Sequence, residues 1–160
     1  MLAYDADLEL FRDNFKRFMK EHVAPFYEQW EREGLYPRSL WNQLGENGFL
    51  CVDVPEEYGG YGVPTHYSLM LVEESARAGY SAISTGISCH SEIAAPYILH
   101  IASEEQKQYW LPKMVSGEVV GAIGMTEPGA GSDLQAMRTS AILQSDHYVL
   151  NGSKTFISNG

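Results

Sequence analysis

Met125-Thr126-Glu127-Pro128-Gly129-Ala130-Gly131-Ser132-Asp133 is the stretch around which the chain is ordered. Apolar residues before it recur at helical spacing, and those after it alternate as in strands. Within it Pro128 holds φ at about −65°, while Gly129 and Gly131 can take positive φ and let another group approach the main chain. Such a loop offers backbone N–H groups, and Thr126 and Ser132 add hydroxyls, which together suit a polar, partly anionic ligand held at a strand end. Glu127 and Asp133 flank the Pro-Gly turn, and their expected role is to tie it down by accepting backbone N–H groups.

Upstream, Leu8, Phe11, Phe15, Phe18, His22 and Phe26 recur every three or four residues, which predicts one aromatic, buried helix face over residues 5–30 with a kink or restart at Pro25. A short helix follows over residues 37–48, carrying Leu40, Trp41 and Leu44 and stopped by Gly48. Residues 55–64 hold three glycines among tyrosines without the lysine or helix that a phosphate cradle needs, so a structural turn is expected. Thr65 is placed to cap a helix to Ala78 with Leu69, Val72 and Ala76 on its buried face. Residues 81–100 are rich in small side chains and belong inside, with Ser84, Ser88, His90 and Ser91 read as satisfied core groups before a ligand channel. Ser103-Glu104-Glu105-Gln106 is a capping box that starts another helix, which Pro112 should interrupt or restart and Gly117 end.

Downstream the period becomes extended. Strands are expected at residues 119–125, 137–143, 147–150 and 154–158, the last two joined by an Asn151-Gly152 hairpin turn. The fold class is therefore mainly α: a bundle-like helical domain over residues 1–117, then the first strands of an antiparallel β domain over residues 118–160.

Composition narrows the function. With 44% hydrophobic residues and 12% aromatics the chain can build a core, and a net charge of −10 argues against nucleic acid or an anionic membrane surface as partner. No run is long enough to span a bilayer, so no membrane insertion is expected. Cys51 and Cys89 lack metal-type spacing, and a reduced cytoplasmic protein is the simplest reading, with the mitochondrial matrix after presequence removal as the alternative. A serine hydrolase is disfavoured because neither Ser88-Cys89-His90 nor Gly131-Ser132-Asp133 forms a nucleophile elbow. No metal site is expected, since at most two ligands lie close together.

With these motifs in order, the chain resembles the acyl-CoA dehydrogenases, and among them the long-chain-like members. The likeness rests on the Leu-Trp to Gly-Phe-Leu region at 40–50, Pro-Glu-Glu-Tyr-Gly-Gly at 55–60, Gly-Glu at 117–118, the 125–133 loop, and Asn-Gly-Ser-Lys-Thr-Phe-Ile-Ser-Asn-Gly at 151–160. It implies an N-terminal piece of an FAD-dependent enzyme of fatty acid β-oxidation that introduces an α,β double bond into a fatty acyl-CoA thioester. Electrons would pass to an external, electron-transfer-flavoprotein-type acceptor. It also implies a homo-oligomer, tetrameric at full length, with a C-terminal helical domain and the catalytic base both beyond Gly160.

The resemblance lays Ile123, Gly124, Met125, Thr126, Glu127, Pro128, Gly129, Ala130, Gly131 and Ser132 along FAD, gives Ser132 a substrate contact as well, and sets Phe156, Ile157 and Ser158 over the flavin's other side. Isoalloxazine has apolar faces and acceptors along one edge, so an aromatic ring and hydroxyl donors are apt partners for it. The alternative is a non-catalytic helical interaction or folding module, because the base and much of a flavin pocket are expected outside these residues.

Overall fold

The aromatic spacing near the N-terminus becomes helix α1 (Ala6–Phe18). The computed structural model describes residues 6–160, so the expected helix start at Asp5 lies outside the described residues. Phe15 and Phe18 are buried against Phe49, with ring centroids 5.0 and 5.4 Å away and near-perpendicular planes. The helix then widens into a π turn (Met19–Val23), in which the Ala24 N–H donates to the Met19 carbonyl at 2.9 Å. A π turn inserts residues into the helical register and re-aims the face that follows. Met19 and Val23 therefore enter the core, while His22 and Phe26, expected on the buried face, are exposed. Pro25 does restart the chain, as α2 (Tyr27–Glu33).

Helix α3 (Arg38–Glu46) buries Leu40, Trp41 and Leu44 as its pattern predicts. These join Phe15, Phe49, Leu50, Leu71, Ile83 and Ile87 in the larger of two apolar clusters. The tyrosine-glycine loop contains a 3₁₀ turn (Glu56–Tyr58) and is structural. The buried Tyr58 donates its hydroxyl to both carboxylate oxygens of Glu104 at 3.0 Å, and a Cβ on Gly60 would stand 2.0 Å from the Val54 carbonyl oxygen.

Helix α4 (His66–Arg77) departs from expectation twice. Thr65 occupies the N-cap position, but its side chain makes no capping bond. The buried face carries Ser68, Met70, Leu71 and Ser75, while Leu69 is 55% exposed. Serines can occupy that face because each hydroxyl finds a partner: Ser75 donates to the Leu71 carbonyl at 2.7 Å and Ser68 to Glu92 at 2.9 Å. Helix α5 (Ser81–Ser88) and a second π turn (Cys89–Ala94) bury Ile83, Ser84, Gly86, Ile87, Cys89, His90 and Ser91, as the small residues suggest, but α6 (Ala95–Ile101) buries Ala95 alone and exposes Tyr97 and Ile101, so the interior run ends earlier than expected.

Helix α7 (Glu104–Val115) opens with both bonds of its capping box, Gln106 N–H to Ser103 Oγ at 3.3 Å and Ser103 N–H to Gln106 Oε1 at 3.0 Å. Pro112 does not interrupt it. The helix ends three residues later, so the one missing donor falls in a turn about to stop. Gly117 then takes φ +73° against the Trp41 carbonyl, where a Cβ would stand 2.1 Å from the oxygen.

The chain divides into two compact units, the second beginning at Ala122. Residues 119–125 form no strand, contrary to expectation. Their backbone donors go elsewhere, Val119 N–H to the Lys113 carbonyl and Gly121 N–H to His90 Nδ1, and no ladder partner lies beside them among the described residues. In the second unit β1 (Ser140–Gln144) pairs antiparallel with β2 (His147–Asn151). The hairpin turns at Ser145-Asp146, with Ser145 at φ +57°, and not at Asn151-Gly152. Asn151 pairs with Ser140, and Gly152 lies so close to Thr139 that a Cβ would stand 2.1 Å from its hydroxyl, so this glycine serves close approach. Residues 154–158 form no strand, contrary to expectation: Phe156 takes φ +55° and the chain turns at Ser158, which breaks the extended run. The architecture is thus mainly helical with a small antiparallel sheet, and no described helix is long and apolar enough to cross a membrane.

Candidate functional site

The 125–133 loop is a tight turn. Glu127 N–H donates to the Ala130 carbonyl at 2.9 Å and Ala130 N–H returns to the Glu127 carbonyl at 3.1 Å, with Pro128 and Gly129 between them. Neither Gly129 nor Gly131 uses the positive φ open to it, and a Cβ on either would meet nothing within 4 Å. Their value is an open backbone face, since no acceptor among the described residues meets the N–H of Gly129, Gly131 or Ser132.

Glu127 is the anchor, as expected. Its Oε2 accepts the Arg138 N–H at 2.7 Å, and its Oε1 accepts the Thr139 N–H at 3.0 Å and the Lys154 ammonium at 2.9 Å. The Arg138 N–H, with Thr139 and Lys154 adding to it, holds the carboxyl down at about 2, so Glu127 stays ionised although it is only 8% exposed. Asp133 does similar work on a smaller scale, accepting the Gln135 N–H at 3.2 Å.

The loop meets the later segment edge to edge. Thr155 N–H donates to the Thr126 carbonyl at 2.9 Å, and Ile157 reaches to 3.7 Å from where a Gly124 Cβ would stand. Ile123, Thr126 and Ile157 are half-buried along this seam, Ala130 is buried, and Gly124, Met125, Pro128, Gly129, Gly131, Ser132 and Ser158 are exposed. Phe156 stands out from it at φ +55°, with 91% of its surface open. The structure therefore brings the 124–127 and 154–157 stretches together and leaves Ser132 beyond the turn. An exposed aromatic ring, outward N–H groups and bare glycine backbone match the chemistry of a flat group with edge acceptors, so these residues fit a flavin nucleotide.

Sequence reasoning passed over Lys154. Its signal was present, as a lone lysine inside the otherwise apolar and hydroxylic run from Ser153 to Ser158. The polar residues of the first unit are used up internally: Ser84 on the Val72 carbonyl, Ser88 on Glu92, and Ser91 accepting the Cys51 N–H. His90 Nδ1 accepts the Gly121 N–H at 2.9 Å, which makes Nε2 the protonated nitrogen that donates to the Met114 carbonyl at 3.0 Å. Burial lowers His90 to about 4 and pushes the Cys51 thiol up to about 12, so neither is poised as a base or nucleophile near neutrality.

Comparison with known proteins now adds the family. Residues 5–118 match the acyl-CoA dehydrogenase N-terminal domain and residues 122–160 the middle domain. The chain is 40% identical over 157 residues to the mitochondrial long-chain specific acyl-CoA dehydrogenase of Sus scrofa, covering 98% of itself and 36% of that relative. Among solved structures it is similar to an acyl-CoA dehydrogenase from Geobacillus kaustophilus, with TM-score 0.95, 46% identity, and coverage of 99% of this chain and 41% of that one. It is also similar to an acyl-CoA dehydrogenase complexed with FAD from Bacillus anthracis, with TM-score 0.86, 33% identity, and coverage of 97% and 27%. On the strength of both domain matches and these likenesses, the chain belongs to the acyl-CoA dehydrogenase family.

Proposed function

We propose that this chain supplies the flavin-holding edge of an FAD-dependent dehydrogenase that introduces an α,β double bond into fatty acyl-CoA thioesters. The observation that carries the reading is the seam joining Met125–Thr126 to Thr155–Phe156, with its donors turned outward beside an exposed ring. Thr126 and the backbone from Ile123 to Ser132 would hold the cofactor along one edge, Phe156 to Ser158 would cover it, and Ser132 would reach the thioester portion of the substrate. When bound, FAD supplies the acceptor for the hydride that leaves the acyl β-carbon.

The chain's own residues bind and orient in this scheme. Proton removal from the α-carbon needs a base matched to the working pH, and Glu127, near 2 with both oxygens occupied, is not one. Asp133 is committed to the Gln135 N–H. Electrons would leave through an electron-transfer-flavoprotein-type acceptor, and the assembled protein would be a homo-oligomer.

The test is to load the protein with FAD and add acyl-CoA thioesters of increasing chain length without oxygen. Bleaching of the visible flavin absorbance supports the reading. Persistent colour with every thioester contradicts it, and failure to take up FAD by a folded chain leaves a helical interaction module.

A further inference from the structure

Lys154 has no part in the scheme above, yet its ammonium is tied to three groups of the second unit. Its ammonium donates to the Met125 carbonyl at 3.1 Å and to Glu127 Oε1 at 2.9 Å, with Met137 Sδ at 3.6 Å. The stem runs beside Gly124, where a Cβ would stand 3.4 Å from Lys154 Cγ. The side chain is 23% exposed and its Glu127 partner 7%, so the pair is shielded from bulk water.

Peptide planarity converts this contact into an orientation. In a trans peptide the carbonyl and the following N–H point in opposite directions. A Met125 carbonyl drawn toward Lys154 therefore sends the Thr126 N–H the other way, where no acceptor among the described residues meets it. The next peptide is pinned as well, because the Thr126 carbonyl accepts the Thr155 N–H. Both peptides flanking Thr126 are thus fixed from the side of the 154–155 segment. Glu127 keeps the ammonium in place, and the Arg138 and Thr139 N–H groups keep Glu127 in place.

We propose that Lys154 is a positioning residue that sets the plane of the Met125–Thr126 peptide and so aims the Thr126 N–H and hydroxyl at the acceptor edge of a flavin. The proposal rests on the FAD reading above. Its charge would have a second consequence: Lys154 offsets the field of the ionised Glu127 nearby, which would otherwise oppose negative charge on the cofactor edge held there.

The experiment uses the isotopically labelled chain with FAD as the titrant, comparing wild type, Lys154→Met, and Lys16→Met as a control that loses the same charge from helix α1. Lys154→Met is expected to keep the helical circular dichroism, to move the Met125 carbonyl and Thr126 amide resonances in the free protein, and to weaken FAD binding about tenfold or more. Lys16→Met should match wild type in both readouts. Should the methionine variant lose its β1–β2 amide pattern, Lys154→Gln takes its place, since it keeps an N–H donor without the charge and is expected to bind between the two. FAD binding equal to wild type in a folded Lys154 variant overturns the proposal. If wild type takes up no FAD, the functional reading fails by itself, and the Met125 and Thr126 resonances decide: movement in Lys154→Met upholds the positioning role, and unmoved resonances overturn it.

Discussion

His90 and Glu127 are both shielded side chains with their polar atoms bonded to the main chain, yet they have opposite charge states for opposite reasons. Around His90 there is apolar packing and one backbone group per ring nitrogen, so desolvation dominates and the ring stays neutral down to about 4. Around Glu127 two backbone donors and an ammonium converge, so the charge is favoured down to about 2. The contrast extends to the units they belong to. The first is built on two apolar clusters, while in the second Glu127 and Ala130 are the buried residues among those described. One unit is held by burial with its polar groups accommodated, and the other by a charged knot with little core beneath it.

That contrast breaks most visibly at Phe15, which is fully buried against Phe49. Phe15→Ala should cost about 3–5 kcal/mol in denaturant unfolding followed by helical circular dichroism. A loss below about 1 kcal/mol would mean that the first unit does not depend on this cluster.

The second effect is a pH dependence. The folded value for His90, about 4, lies below its ordinary 6.5, so the fold favours the neutral ring. Its contribution is fully present above pH 6.5, declines as the pH falls from there toward 4, and changes no further below that. The whole step is on the order of 3 kcal/mol. His90→Gln should flatten the slope in that window, and an unchanged slope would show that another group produces it.

Glu127 moves the other way along the scale. Its depressed value means a contribution that is intact above the ordinary 4.5 and lost only as the pH falls toward 2. Glu127→Gln should speed amide exchange at Arg138 and Thr139 about tenfold while leaving α1 and α7 unchanged. Equal acceleration throughout would erase the distinction between the two units. The smallest effect belongs to a cap, with Ser103→Ala expected to cost about 1 kcal/mol in the same unfolding assay as Phe15→Ala.

What was legible in the sequence follows the same division. Burial patterns of Phe15, Phe18, Leu40, Trp41 and Leu44, the Ser103 box and the Gly117 stop could be read because each depends on neighbours within a turn or two. The π turns could not, since a change of helical register leaves no residue type behind, and His22 and Phe26 were misplaced as a result. Ser68 and Ser75 escaped notice because their partners lie across the fold or along the backbone. Where the first unit ends and the second begins, an apolar run at 119–125 was read as a strand, but a strand needs a neighbour, and the Val119 and Gly121 donors go to Lys113 and His90 instead. The anchoring role of Glu127 and Asp133 was legible from turn chemistry; the ammonium that completes it comes from residue 154 and was not.

If the 125–132 loop and the 156–158 segment form one flavin-holding edge, amide shift mapping of the labelled chain on adding FAD will register both together. The largest shifts are expected at Thr126, Gly129, Gly131 and Ser132 together with Phe156, Ile157 and Ser158. Shifts confined to the helices of the first unit, with those residues unmoved, would contradict it.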